Sequence, residues 1–321
     1  MLEIADAVAP RVGRGSLVRL ERAGICGTDR KILDGSIPID YPRVLGHEMV
    51  GTVVAGAPGG KISVGTKVMV NPGTFCGKCH LCTKDRPHLC PHGGLRGRDS
   101  DGVFAESLEV SERFLHIVPD QVAWDEAGLL QVLGTVVHSQ QAVDVSSETV
   151  AVVIGLGVSG MLHMQLLSER GVSRVIGISR SGWKLELATN LGARAVATPD
   201  EAAEAVAEVS EGRGADLVIE AVGTESTVWQ AIELCSPGGD VIIYGTVAGT
   251  AKLPYYQLYY KEITVHNPRG ARPRDYDAAI GLAAAGRIAL APLITARYPL
   301  KEAASAFAAA GRGHLKVLLT P

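Results

Sequence analysis

Val150 to Gly160 reads VAVVIGLGVSG. A β-branched apolar run enters a turn with Gly155, Gly157 and Gly160, and a helical pattern follows from Met161 to Arg170, closed by Gly171. Strand, glycine turn and helix in that order are the setting in which G-x-G-x-x-G binds a dinucleotide. The first glycine allows the tight turn, the second lets the backbone approach a pyrophosphate, and the third lets the helix pack on the strand. Val158 and Ser159, between the second and third glycines, are expected to meet the cofactor, whose phosphates sit on the free N–H groups and positive dipole end of the helix that follows. A glycine-rich turn in an ordinary α/β sheet has the same local pattern, so the following unit arbitrates.

Ser173 to Ser179 (SRVIGIS) reads as the second strand, and Ser179 lies 24 residues past Gly155. An acidic residue near this place takes the ribose hydroxyls of NAD. This chain has Ser179 and Arg180 there, with Lys184 one turn on. A carboxylate repels a 2′-phosphate, whereas a hydroxyl, a guanidinium and an ammonium bind it. The expected cofactor is therefore NADP(H). The alternative is that Arg180 and Lys184 are only a solvated helix start.

At 321 residues the chain is long for one core, so two domains are expected. The net charge of −3 offers no basic excess for nucleic acid or an anionic membrane surface. No apolar run is long enough to span a bilayer. The start, MLEIADAVAP, has neither a basic n-region nor an apolar h-region, so no secretory signal is expected and the cytoplasm is the expected compartment.

The first hundred residues read as short strands and turns: 17–26, 49–56 and 65–70, a β-rich, partly closed barrel. The pattern turns helical from Trp124 to Ala142. Strands at 194–198, 215–222, 239–245 and 262–267 then alternate with helices at 183–191, 200–210 and 225–235, the signature of a parallel sheet covered on both faces. Two Ala-rich helices and a closing strand (LKVLLT) complete the chain. No internal repeat or low-complexity segment interrupts it.

Cys76, Cys79, Cys82 and Cys90 fall within 15 residues. Four thiolates at that spacing form a closed tetrahedral zinc site. Two disulfides are the alternative, but cysteines separated by two residues strain that geometry. The nearby charges do not form a basic stripe, so a nucleic-acid knuckle has little support. His80, His88 and His92 read as solvated loop residues. Cys26 and His47 remain, with Glu48 beside the latter. Both suit zinc, but each alone also reads as a buried cysteine or a turn-capping histidine, and 21 residues separate them.

GICGTD (24–29), GHEMVG (46–51), the CxxCxxCx7C lobe and GLGVSG (155–160), in that order, resemble the zinc-dependent medium-chain dehydrogenase/reductase family of alcohol and polyol dehydrogenases. The resemblance covers nearly the whole chain. It implies an α/β protein: a β-rich GroES-like catalytic domain over 1–132 and 270–321, and a Rossmann domain with a doubly wound parallel sheet over 133–269. It implies two zinc ions per chain, one structural and one catalytic on Cys26 and His47, with Glu48 as an adjacent or exchanging ligand. Thr28 would hold the substrate hydroxyl in a proton relay, Thr135 would pack near the nicotinamide, and Lys316 would approach the cofactor phosphates. The implied reaction passes hydride between a small-molecule alcohol/carbonyl pair and NADP(H), with zinc as Lewis acid. A homodimer or homotetramer is implied too, and an apolar strand near 239–247 is expected to pair edge-to-edge with its copy.

Four departures from the family pattern bear on this reading. The third protein ligand is usually Cys, Asp or Glu, seven residues before the position of His138; this chain has Gln131 there. Either Gln131 ligates weakly, or Glu48 or water fills the gap. Lys31 stands where relatives often carry a relay histidine; with Arg30 beside it, the pair either binds an anionic substrate group or is a pair of surface cations. GTKV (65–68) replaces a common GD[RK]V turn. Relatives also begin with a strand about ten residues upstream of Met1, and a truncated start would leave an edge strand unpaired. Secondary alcohols, polyols or sugar-like alcohols are the expected substrates, with Tyr255, Tyr256, Tyr259 and Tyr260 lining a substrate or subunit surface or simply packing. The alternative keeps the fold without a functional catalytic zinc: an NADPH-dependent carbonyl or alkene reductase, or an NADPH-binding protein.

Overall fold

The computed structural model describes every residue except Met1, Arg11 and Ala248. Met1, where the first domain range above begins, lies outside the described residues. The strands are β1 (Ser16–Gly24), β2 (Glu48–Ala55), β3 (Lys67–Val70), β4 (Gly73–Thr74), β5 (Gly94–Leu95), β6 (Ser107–Val110) and β7 (Leu115–Ile117). They continue with β8 (Val150–Ile154), β9 (Arg174–Ile178), β10 (Ala195–Ala197), β11 (Ala215–Glu220), β12 (Cys235–Ile243) and β13 (Thr264–His266). β14 (Ile294–Pro299) and β15 (Lys316–Thr320) close the series. The chain divides into two compact units, Met1–Thr135 with Gly270–Pro321, and Val136–Arg269. The first division falls inside the helix Leu130–Gln140, three residues past the 132/133 boundary read from the sequence.

The first unit holds a seven-stranded sheet in the order β14-β15-β1-β2-β3-β7, with β6 pairing on β1. The long strand β1 serves both: Ser16–Arg19 pairs with β6, and Ala23–Gly24 with β15. Between them the β1/β2 register shifts at Leu20/Arg22, the irregularity that bends a strand around a barrel. Val18, Leu20, Val53, Val68, Val70 and Leu319 pack in its core. A helix at Gly27–Leu33 leaves β1, and β14 precedes the closing strand; the sequence pattern reveals neither. The helical run expected over 124–142 is two helices, Trp124–Ala127 and Leu130–Gln140, broken where Gly128 ends the first.

The second unit is a six-stranded parallel sheet in the order β10-β9-β8-β11-β12-β13. In chain order this is 3-2-1-4-5-6, the doubly wound arrangement whose order reverses beside its first strand. β8 is buried at every residue, as a central parallel strand covered on both faces must be, and this is why VAVVI shows no alternation. The structure corrects the expectation of a self-pairing edge near 239–247: β12 lies between β11 and β13, with Asp240–Ile242 paired to Thr264–His266, and β13 is the edge. An apolar run is common to interior and edge strands, so hydrophobicity alone does not separate them. The helix Tyr255–Tyr260 leaves all four of its tyrosines exposed.

The glycine turn follows β8. Gly155 has φ +94 and donates its N–H to the Ile178 carbonyl at the end of β9 (2.9 Å). A Cβ at Gly160 would lie 2.0 Å from the Gly155 carbonyl oxygen, whereas one at Gly157 would meet nothing within 4 Å. The third glycine is thus demanded by the fold and the second is not. Gly160→Ala should destabilise this unit by about 2–3 kcal/mol, because backbone cannot yield as a side chain can. Gly157→Ala should change stability by under about 1 kcal/mol, the scale of an N-cap substitution. Differential scanning calorimetry checks both; equal losses would contradict the packing account.

Candidate metal and cofactor sites

Two groups of ligand-type side chains converge among the described residues. The first is the cysteine lobe. Sγ separations are 3.5 Å (Cys79–Cys82), 3.6 Å (Cys76–Cys90), 3.7 Å (Cys79–Cys90) and 3.9 Å (Cys76–Cys82). Four sulfurs each about 2.3 Å from a tetrahedral zinc must lie about 3.8 Å apart, so the lobe has the dimensions of that site. All four cysteines are free, which removes the disulfide alternative. Backbone N–H groups aim at the sulfurs: Cys76 donates to Cys90 Sγ (3.4 Å) and Cys79 to Cys76 Sγ (3.3 Å). The Lys78 N–H is the main cause that brings the Cys76 thiol down to about 6. Burial, then Cys79, pushes Cys82 up to about 12. Of the neighbouring histidines, His80 and His92 are exposed, but His88 is half-buried in a short 3-10 turn, not the solvated loop residue expected.

The second group is Cys26, His47 and Glu48, whose ligand atoms all lie within 4.8 Å of one another. Cys26 precedes the helix Gly27–Leu33; His47 and Glu48 stand at the start of β2. Asp29, fully buried, joins the two segments. Its Oδ2 accepts the Cys26 N–H (2.9 Å), and its Oδ1 accepts the Gly46 N–H (3.2 Å) and faces His47 Nδ1 (3.3 Å). That contact leaves Nε2 of His47 for a metal, the carboxylate–histidine arrangement that orients a ligand ring. Burial opposes a charge on His47, but Asp29 and then Cys26 more than offset it and hold its pKa well above the usual value. Sequence reasoning does not single out Asp29, although GTD contains it.

Glu48 is also buried, and its Oε2 takes the Lys316 ammonium at 2.6 Å. Lys316 Nζ lies 3.5 Å from the Ile25 carbonyl as well. Burial disfavours the Lys316 charge, but Glu48, Cys26 and Asp29 together raise its pKa above the ordinary lysine range. The residue expected from the resemblance to contact phosphate is thus committed to the metal cluster. With a metal bound, which requires Cys26 as thiolate and His47 as neutral imidazole, the buried cluster would hold three anions (Asp29, Glu48, Cys26) against one cation (Lys316). Two negative charges remain, which a divalent metal ion neutralises. The donor set and the charge both fit zinc.

Thr28 and Lys31 are half-buried on the helix Gly27–Leu33, and Arg30 beside them is exposed. Gln131 is buried at the start of the helix Leu130–Gln140. The Thr135 hydroxyl donates to the Val132 carbonyl (2.7 Å). In the second unit Val158 and Ser159 begin the helix Val158–Glu169 and are half-buried. Ser179 follows β9, and its hydroxyl accepts the Ser181 N–H (3.2 Å). Arg180 is exposed and Lys184 half-buried, its ammonium 5.5 Å from the Trp183 ring. Burial, then the neighbouring Arg180 charge, lowers the Lys184 pKa. Two cations are thus held together with no acidic partner among the described residues, an arrangement that favours an anion. Glu220 supports the adjoining loop: its Oε1 accepts N–H groups of Val222 and Gly223, both at 2.8 Å.

Comparison with known proteins bears on both units. A family model described as alcohol dehydrogenase GroES-like domain matches residues 14–120, and one described as zinc-binding dehydrogenase matches residues 158–285. The chain is 30% identical to the L-threonine 3-dehydrogenase of Caldanaerobacter subterraneus subsp. tengcongensis, over 94% of this chain and 89% of that protein. It is 31% identical to the D-arabitol-phosphate dehydrogenase of Enterococcus avium, over 99% of this chain and 92% of the relative. Among solved structures it is similar to the alcohol dehydrogenase TADH from Thermus sp. ATN1, with 30% identity, a TM-score of 0.90, and 98% and 95% of the two chains covered. It is also similar to a Sinorhizobium meliloti 1021 protein assigned to the zinc-binding dehydrogenases and bound to NADP, with 30% identity, a TM-score of 0.91, and 97% and 94% covered.

Asp29→Asn keeps the size of the side chain but removes the charge and one acceptor. Metal affinity at the Cys26/His47 site should fall by about 10- to 100-fold, the cost of losing such an orienting partner. Competitive chelator titration followed by metal analysis checks this; the cysteine lobe should keep its ion.

Proposed function

The chain belongs to the zinc-binding medium-chain alcohol and polyol dehydrogenase family, and from that premise we propose that it is an NADP(H)-dependent, two-zinc oxidoreductase acting on a secondary alcohol, polyol or sugar-like alcohol. The observation that carries this is the convergence of Cys26, His47 and Glu48 around the buried Asp29, with a charge suited to a divalent ion. Cys26 and His47 would hold the catalytic zinc, Gln131 and Glu48 being the available further donors, and the cysteine lobe would hold the structural one. When bound, the zinc supplies Lewis acidity that makes a substrate hydroxyl more acidic, and NADP⁺ accepts the hydride. Asp29 keeps the His47 ring oriented. Lys316 holds Glu48 and stabilises its charge. Thr28, close behind Cys26 in the chain, receives the hydroxyl proton and passes it outward.

The preference for NADP(H) rests on Ser179, Arg180 and Lys184, where a paired cationic site and a hydroxyl stand in the place of a carboxylate. The helix Val158–Glu169 begins where the pyrophosphate would lie. A cytoplasmic homodimer or homotetramer belongs to the same reading. No helix among the described residues is long and apolar enough to cross a membrane.

Metal analysis and turnover test the proposal together. Two zinc ions per chain and chelator-sensitive reduction of NADP⁺ by one class of secondary alcohol or polyol are expected. One zinc per chain, confined to the cysteine lobe, would instead favour a reductase or NADPH-binding protein without the catalytic ion. Arg180→Gln combined with Lys184→Gln should lower the NADP⁺/NAD⁺ preference at least about tenfold, since it removes both charged donors to a 2′-phosphate. An unaltered preference would refute this reading of the two cations.

A further inference from the structure

Arg96 lies in the loop after β5, immediately before Gly97. Its backbone is fixed: its N–H donates to the Pro72 carbonyl (3.0 Å), and it forms an isolated bridge with Ser100. Gly97 has φ +80, and a Cβ there would lie 2.5 Å from the Gly46 carbonyl oxygen and 2.8 Å from the Gly46 nitrogen. Gly46 immediately precedes His47. The same loop is stitched to the ligand loop by Gly102 N–H to Val44 O (2.8 Å) and Val103 N–H to Gly46 O (3.0 Å). Arg96 is therefore rooted against the backbone that carries the metal ligand.

The Arg96 side chain has no protein partner among the described residues. Its Nε is buried without an acceptor. Burial depresses its pKa, and no carboxylate offsets the effect. Acids are not lacking nearby. Asp99 takes Arg98 through two hydrogen bonds (3.0 and 2.7 Å) and accepts the Leu95 N–H (2.7 Å). Asp101, in the same loop, faces Arg43 at 3.6 Å. A guanidinium stays charged, and a buried donor without an acceptor is costly, so an unpaired arginine at a ligand loop is suited to receive an anion. Its planar fork matches carboxylate and phosphate oxygens.

The geometry points to Arg96 as a substrate-recognition residue that binds a carboxylate or phosphate carried by the alcohol. The inference rests on the proposed dehydrogenase reading and narrows it to an anionic sugar-like alcohol. The hydroxyl to be oxidised lies at the metal, and the anionic end lies against the loop of Arg96.

The test compares a neutral polyol (D-arabitol), its terminal phosphate ester and the matching aldonate, with the zinc-loaded wild-type protein and with Arg96→Gln and Arg96→Lys. Wild type should show a KM for one anionic probe at least about tenfold below that of the neutral polyol, as a charge-assisted fork contact requires. Arg96→Gln should bring that ratio close to one, and Arg96→Lys should restore part of it. Which anion is preferred, ester or aldonate, identifies the group. No anionic preference in wild type, or a preference kept by Arg96→Gln, overturns the inference. So does an equal loss with neutral and anionic probes, the signature of a structural role. If no probe turns over, the dehydrogenase reading fails, and calorimetry decides the site separately. Inorganic phosphate or acetate binding to the NADP⁺-loaded protein that is lost in Arg96→Gln upholds it; equal or absent binding overturns it.

Discussion

The carboxylate of Asp29 is the joint on which the metal cluster depends. A charge taken out of water costs several kcal/mol unless hydrogen bonds and counter-charges replace the solvent. Asp29 has two backbone donors and an imidazole as replacements, and they come from both ligand segments. The contact is therefore reciprocal: the ligands make the buried charge tolerable, and the charge fixes the ligands. The surrounding backbone leaves little slack. Gly46 has φ +93, and a Cβ there would lie 2.4 Å from the Phe104 ring, while Gly97 presses on it from the other loop. Movement of His47 would thus have to carry two loops with it.

The charge of the cluster sets what a further donor could add to it. Lys316 and Glu48 neutralise each other at 2.6 Å. Asp29 and a metal-bound Cys26 thiolate would remain beside a neutral His47, and a divalent ion would balance them. If Gln131 is the further donor proposed above, its neutral amide would leave that balance unchanged, where an acid or thiolate would add a negative charge. A neutral amide avoids that cost at the expense of a weaker donor.

The parts of the molecule legible in the sequence are those whose cause is local. VAVVI followed by spaced glycines can be read because buried parallel strands are apolar throughout and the turn requires small residues. The cysteine lobe can be read because its ligands lie within 15 residues. The Lys316–Glu48 pair joins residues 268 positions apart, and no spacing rule reaches that far. Asp29 looks in the sequence like any acid in a turn after a strand; what defines it is Gly46, 17 residues away and on another segment. The helix Gly27–Leu33 is seven residues long, too short for periodicity to show. β12 reads as an edge from its sequence because its apolar face looks the same whether β13 covers it or not.

The distribution of unpaired cations carries the last step. With 34 acidic residues against 31 lysines and arginines, the chain has acids enough to pair its cations. It does so at structural positions: Asp125 holds both Arg22 and Arg297, and Asp99 holds Arg98. Other cations are held by carbonyls instead, Lys67 by Val122 and Arg113 by Phe75; among the described residues Arg96, Arg180 and Lys184 show neither kind of partner. Like charges held together, or one left partly buried, cost stability unless something outside the chain offsets it. At Arg96, and at Arg180 with Lys184, the proposed substrate and cofactor anions would supply that offset.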